Sequence, residues 1–210
     1  MSAKIRNIFL DRDGTLIEDL HYLFDPDQVS LLPGVGPGLQ TLQADNCRLF
    51  LVSNQSGIGR GYFTTRDYKA CQQKLRALLQ NYGVTLTDQA YCPHTPQDNC
   101  PCRKPRSGQW AKLAATHNLK PEESIIIGDK SSDIEFARNC NFKAAILVLS
   151  GKGKEEAQKM GLGIAQDSFK ELTNTKNHLY PDVLAKDFQA ACNWILLYNS
   201  GHNDNHSSRT

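Results

Sequence analysis

The sequence runs to 210 residues, long enough to bury a core without covalent staples and short enough for one domain. Apolar residues make up 40% and charged residues 22%, an ordinary globular composition that excludes a disordered or fibrous chain. The formal net charge of +2 gives no electrostatic footprint for nucleic acid, and no run of about 18 apolar residues is present to span a bilayer.

In chain order, apolar runs bounded by turn residues predict strands at Asn7–Leu10, Arg48–Val52, Ser124–Ile127 and Ala144–Val148. Apolar periodicity predicts helices near Gly36–Asp45, Thr65–Asn81, Gly108–His117, Ser132–Asn139 and Lys154–Met160. A last helix is predicted over Pro181–Tyr198, where Val183, Leu184, Phe188, Ala191, Ile195 and Leu196 recur at roughly helical spacing. Strands alternating with helices imply an α/β fold whose parallel sheet is covered on both faces. Asn199–Thr210 holds no apolar residue and reads as a disordered tail, which leaves one domain over residues 1–198. The apolar stretch after Lys4 and Arg6 is too short for a signal peptide, so a cytoplasmic protein with reduced thiols is expected. A monomer is expected by default.

Asp11-Arg12-Asp13-Gly14-Thr15 follows the first predicted strand directly. In an open parallel sheet, ligands bind beyond the carboxyl ends of the strands. Two carboxylates this close persist only with a cation between them or a proton on one. Both conditions suit phosphate chemistry. Asp11 would attack phosphorus and form an aspartyl-phosphate. Asp13 would protonate the leaving alcohol and then deprotonate the hydrolytic water.

Three further segments fit that chemistry. Ser53-Asn54-Gln55-Ser56-Gly57 follows the second strand and offers a hydroxyl and backbone N–H groups to phosphate oxygens, or is a plain polar loop. Lys104 would offset the charge of nucleophile and phosphoryl group. Gly128-Asp129-Lys130-Ser131-Ser132-Asp133 follows the third strand, and Asp129 would join Asp11 as a ligand of magnesium, which prefers hard oxygen donors. Asp133 reads as a ligand through water, as a group that orients Lys130, or as a helix cap.

These four segments, in order, resemble the motifs of the haloacid dehalogenase superfamily over roughly Ile5 to Leu149. The resemblance implies a Rossmann-like three-layer fold with a central parallel sheet, bound magnesium, and the backbone carbonyl of Asp13 as a further metal ligand. It also narrows the reaction. Dehalogenases expel halide and lack an acid at the position of Asp13, so the retained carboxylate argues for phosphate ester hydrolysis. Only 42 positions separate Asp11 from Ser53 and 51 separate Ser53 from Lys104, which leaves no room for a large cap domain.

Cys92, His94, Cys100 and Cys102 form the pattern C-x-H-x5-C-x-C, three sulfurs and one imidazole. That set matches a closed tetrahedral zinc site, against the alternatives of unligated thiols or a disulfide, so the zinc of loop 92–102 would be structural. Cys102 precedes Arg103 and Lys104, and the metal would therefore also fix the lysine. Within the superfamily this loop resembles two branches, the heptose-bisphosphate and the histidinol-phosphate phosphatases. The run Asn54-Gln55-Ser56-Gly57-Ile58-Gly59-Arg60-Gly61 resembles the heptose branch, whereas histidinol phosphatases tend to carry an acid at the position of Ser56. Arg60 would suit a second phosphate held bidentately. Asp19-Leu20-His21-Tyr22 also resembles the heptose branch, with His21 and Tyr22 either lining the sugar site or packing the loop. Arg103 reads as a contact to the sugar phosphate or as a surface ion pair. The expected reaction is hydrolysis of the 7-phosphate of a heptose 1,7-bisphosphate, the alternative histidinol-phosphate hydrolysis or action on another small sugar phosphate, with a small phosphorylated sugar as partner.

Overall fold

The computed structural model describes residues 3–163, 167–172 and 179–201. Among these residues seven strands form one sheet: β1 (Asn7–Leu10), β2 (Arg48–Asn54), β3 (Asp88–Cys92), β4 (Ser124–Gly128), β5 (Ala144–Val148), β6 (Phe169–Glu171) and β7 (Val183–Ala185). Their spatial order is β3-β2-β1-β4-β5-β7-β6. All neighbours pair in parallel except β6, which runs antiparallel to β7 at the edge. The sheet is thus mostly parallel rather than wholly so.

Among the described residues, seven α-helices accompany it: α1 (Val35–Ala44), the one-turn α2 (Ser56–Gly59), α3 (Thr65–Gln80), α4 (Gly108–His117), α5 (Ser131–Asn139), α6 (Gly153–Lys159) and α7 (Phe188–Asn199). Alternate residues of each strand feed opposite faces. Ile8, Leu10, Leu49, Leu51, Ile125, Ile127 and Ile146 pack with Leu39 of α1, Leu75 of α3 and Ile195 of α7. Phe9, Phe50, Ile126 and Leu147 pack with Leu113 of α4, Phe136 of α5 and Ala157 of α6. Strands buried on both faces need near-continuous apolar sequence, which is why β1, β4 and β5 read so plainly.

The predicted helix Pro181–Tyr198 is corrected. Its first part, Val183–Ala185, is β7, and α7 starts only at Phe188. Asp187 makes the boundary: its side chain accepts the backbone N–H of Ala190 and caps the helix. Asn199, expected at the head of the tail, lies inside α7 and is buried. The rest of that expected tail beyond Gly201 lies outside the described residues. Between β1 and α1 there is only a short 3-10 turn, Pro26–Gln28, and between β2 and α3 only α2, so no cap domain is inserted at either place.

The sheet places the site. The chain leaves β1 toward β2 and β3, then returns to lay β4 on the other side of β1. That reversal opens a crevice at the carboxyl ends of β1 and β4, where an open α/β sheet binds its ligand.

Candidate active site

Asp11 follows β1, and its N–H still donates to Ile127 O of β4 at 3.0 Å. The carbonyl of Arg12 accepts from Leu16 and Ile17 at 2.9 and 3.1 Å, which folds the chain into a tight turn. Gly14 holds φ +86° there, and a Cβ on it would strike the Asp129 carboxylate. Glycine is required on both counts.

Lys104 reaches the floor of the crevice. Its Nζ lies 2.7 Å from Asp11 Oδ1 and 2.6 Å from Asp133 Oδ1 and donates to Val52 O at 2.9 Å. Lys104, Asp11 and Asp133 are all buried. Burial opposes ionisation of Asp11, but the ammonium groups of Lys104 and Lys130 outweigh it and hold its carboxyl below the usual range. Asp129, at the end of β4, is fully buried. Its Oδ2 accepts the N–H of Lys152 at 2.8 Å, and Ser150 Oγ donates to Gly14 O at 2.7 Å, so the loop after β5 closes the far wall.

Carboxylate oxygens of Asp11, Asp129 and Asp133 lie within 4.8 Å of one another. Burial, then the charge of Asp11, push Asp129 up to about 8. Lys130 Nζ stands 3.3 Å from Asp129 Oδ1 and 3.2 Å from Asp13 O. Once Asp129 loses its proton, three buried carboxylates face two ammonium groups and leave uncompensated negative charge, and the donors are all hard oxygens. This set fits a small divalent cation such as magnesium.

The predicted phosphate loop has divided tasks. Asn54 accepts the N–H of Lys104 and donates to its carbonyl, each at 3.0 Å, so its side chain fixes the lysine backbone. Gln55 Nε2 donates to Asp13 Oδ2 at 2.8 Å and Ser53 Oγ at 2.7 Å. Gln109 of α4 bonds Ser53 N, Ser53 O and Cys102 O. Arg60 lies at the end of α2, exposed. Arg103 donates to the carbonyl of His94 at 3.3 Å. His21 and Tyr22 both hold positive φ, 53° and 64°, in the loop whose Asp19 lies 3.6 Å from Lys130 Nζ. Tyr22 meets Tyr62 edge to face, with ring centroids 4.8 Å apart.

The second cluster is Cys92, His94, Cys100 and Cys102. Cys92 Sγ to Cys100 Sγ is 3.4 Å, His94 Nδ1 to Cys102 Sγ 3.3 Å and Cys92 Sγ to His94 Nδ1 3.6 Å. These are close to the edges of a tetrahedron with metal–sulfur bonds of about 2.3 Å, so three sulfurs and Nδ1 fit zinc. Burial pushes the Cys92 thiol up. Burial acts the same way on Cys100, but hydrogen bonds from Cys92 and Cys102 outweigh it and bring it down to about 7.

Two cations escaped the sequence reading as site residues. Lys130 stands beside Asp129, and Arg12 stands between the two aspartates. Their place in the motifs was the available signal, but their direction depends on backbone geometry.

A family model described as "HAD-hyrolase-like" matches residues 101–172. The chain is 36% identical over 144 residues to a protein of Thermoplasma volcanium named probable D-glycero-D-manno-heptose-1,7-bisphosphate 7-phosphatase, covering 68% of this chain and 99% of that one. It is 38% identical over 134 residues to the histidine biosynthesis bifunctional protein HisB of Legionella pneumophila, covering 63% of this chain and 38% of that one. Among solved structures it resembles D,D-heptose 1,7-bisphosphate phosphatase of B. bronchiseptica, crystallised with magnesium and phosphate. The TM-score is 0.78 at 27% identity, covering 92% of this chain and 99% of the other.

Proposed function

The chain is a phosphoric monoester hydrolase of the haloacid dehalogenase superfamily, and from that membership we propose that it removes the 7-phosphate of D-glycero-D-manno-heptose 1,7-bisphosphate. The observation that carries the chemistry is the buried group formed by Asp11, Asp129 and Asp133 at the switch point of the sheet, with Lys104 held between Asp11 and Asp133.

Asp11 attacks phosphorus, and the bond from phosphorus to the sugar oxygen breaks. Asp13 gives that oxygen its proton. The aspartyl-phosphate on Asp11 is then hydrolysed by a water whose proton returns to Asp13, which frees both residues for another cycle. Lys104 keeps Asp11 ionised and meets the phosphoryl charge. Ser53, Asn54 and Gln55 form the phosphate side of the pocket, with Asn54 acting through the Lys104 backbone. Asp11, Asp129 and the carbonyl of Asp13 would hold magnesium, which when bound supplies positive charge against the phosphoryl oxygens. Cys92, His94, Cys100 and Cys102 would hold a structural zinc. Its thiolates need a reducing compartment, in keeping with a cytoplasmic enzyme. We take the protein to act as a monomer on a small phosphorylated sugar, without nucleic acid.

Arg60 and Arg103 supply guanidinium groups for the phosphate that is not cleaved. The likeness to the histidine biosynthesis protein keeps histidinol phosphate as a second reading. Against it stands Ser56, where an acid would suit a cationic substrate. Steady-state kinetics on both purified substrates tests the choice. We expect kcat/KM to favour the heptose bisphosphate and Arg60→Ala to reduce that preference. A kcat/KM favouring histidinol phosphate would reverse the assignment.

A further inference from the structure

Asp13 does not hang free at the mouth of the crevice. Arg12 turns back on its own neighbour. Its Nε lies 3.1 Å from each Asp13 carboxylate oxygen, and its Nη2 lies 2.8 Å from Oδ1. Gln55 adds the bond to Oδ2 at 2.8 Å and accepts from Arg12 Nη2 at 3.3 Å. Arg12, Gln55 and Asp13 thus close a ring of hydrogen bonds. Behind it, the guanidinium lies 5.1 Å from the ring centroid of Tyr68 on α3.

Arg12 is also deeply buried. The residue is 1% exposed, and its Nη1 is buried without a hydrogen-bond partner among the described residues. A guanidinium held in the interior with an unpaired nitrogen costs stability that an apolar side chain would not. Packing alone does not favour arginine here. The feature that this cation does serve is the orientation of one carboxylate.

We propose that Arg12 is a positioning residue which, braced by Gln55 and Tyr68, fixes the side chain of Asp13 for proton transfer to the departing sugar oxygen. The inference rests on the assignment of Asp13 as the general acid–base. Such a proton matters most when the leaving oxygen is a poor one, as in a sugar alkoxide. It matters little when the leaving group is stable as an anion, as in a nitrophenyl ester. General acid catalysis is worth about 10²–10⁴-fold, and misplacing a group by about 1 Å can cost about 10²-fold.

The test is kcat/KM, which reports the steps through leaving-group departure, across alkyl and aryl phosphate monoesters that end with p-nitrophenyl phosphate. Arg12→Met is expected to lower kcat/KM by about 10²-fold for the alkyl esters and far less for the nitrophenyl ester, with Arg12→Lys in between. The ratio of the two rates in one preparation does not depend on how much of it is folded. If Arg12→Met yields no folded protein, Tyr68→Leu, which removes the ring behind the guanidinium, should shift the ratio in the same direction. An equal loss on all esters in these variants would reduce Arg12 to a packing role and overturn the proposal. Asp13→Ala separates the two levels. If it shows the leaving-group dependence and the Arg12 and Tyr68 variants do not, the positioning role falls. If Asp13→Ala itself shows none, the general-acid assignment falls and takes the proposal with it.

Discussion

Asp129 is fully buried, and its carboxylate faces those of Asp11 and Asp133. Its pKa rises from an unfolded value near 3.8 to about 8, mostly through burial and then the charge of Asp11. A carboxyl raised on folding contributes stability below its unfolded pKa, and that contribution is lost as pH rises through the folded one. A divalent ion requires the deprotonated form. Magnesium affinity should therefore climb with pH until about 8 and then level, with proton release on binding near neutrality. Titration calorimetry in buffers of different ionisation heat measures both quantities. Equal affinity at pH about 6 and about 9 would contradict the shared-cation geometry. Neighbouring side chains show where residue-level reading stops. Asp11, Asp129 and Lys104, which the structure brings to one crevice, were singled out because each sits in a motif whose proposed chemistry needs that residue type. Arg12 and Lys130 were not, because an arginine beside an aspartate is usually a solvated charge. What separates them from that case is the direction imposed by the turn at Gly14 and by the start of α5.

The zinc-type loop works as an element because it is tied to the crevice at several points. Arg103 bonds the carbonyl of His94, Arg106 Nη1 that of Cys100 at 2.8 Å, and Gln109 that of Cys102. Asn54 then clamps the Lys104 backbone from the other side. Disorder in residues 92–102 would pass directly to Lys104, while the apolar layers on both faces of the sheet would stay packed. A zinc-selective chelator with magnesium kept in excess, or Cys100→Ser, should cost activity by about 10²-fold while helix content holds. Hydrogen exchange should rise across residues 92–106 and stay slow in β1 and β4. Unchanged exchange in that loop would remove the metal from the account. Elements also differ in how openly the sequence states them. β3 escaped because Asp88-Gln89-Ala90-Tyr91-Cys92 is an edge strand with few apolar residues. β7 was absorbed into a helix because Val183 and Leu184 fall in phase with the apolar face of α7, and only the cap at Asp187 separates the two.

Across the whole molecule, the two ends of the described chain meet. Asn199 at the end of α7 accepts the N–H of Ile5 at 2.8 Å and donates to Ile5 O at 3.1 Å and Asp45 Oδ2 at 2.8 Å. This bracket holds α7 against the segment leading into β1, whose far end carries Asp11. Asn199→Ala would strand buried backbone groups and should cost about 1–3 kcal/mol in denaturant unfolding, with KM unchanged. A change below about 0.5 kcal/mol, typical of surface substitutions, would show the bracket to be incidental. The same long-range closure brings together residues from the ends of β1 and β4 and from the segment after the cysteine loop. In the proposed reaction Asp11 is the group that this closure presents to phosphorus. Borohydride reduction of acid-quenched enzyme during turnover, followed by peptide mass spectrometry, tests that directly. Homoserine is expected at position 11 in the wild type with magnesium and substrate, and none in Asp11→Asn. A reduced residue at any other position, or full phosphatase activity in Asp11→Asn, would contradict it.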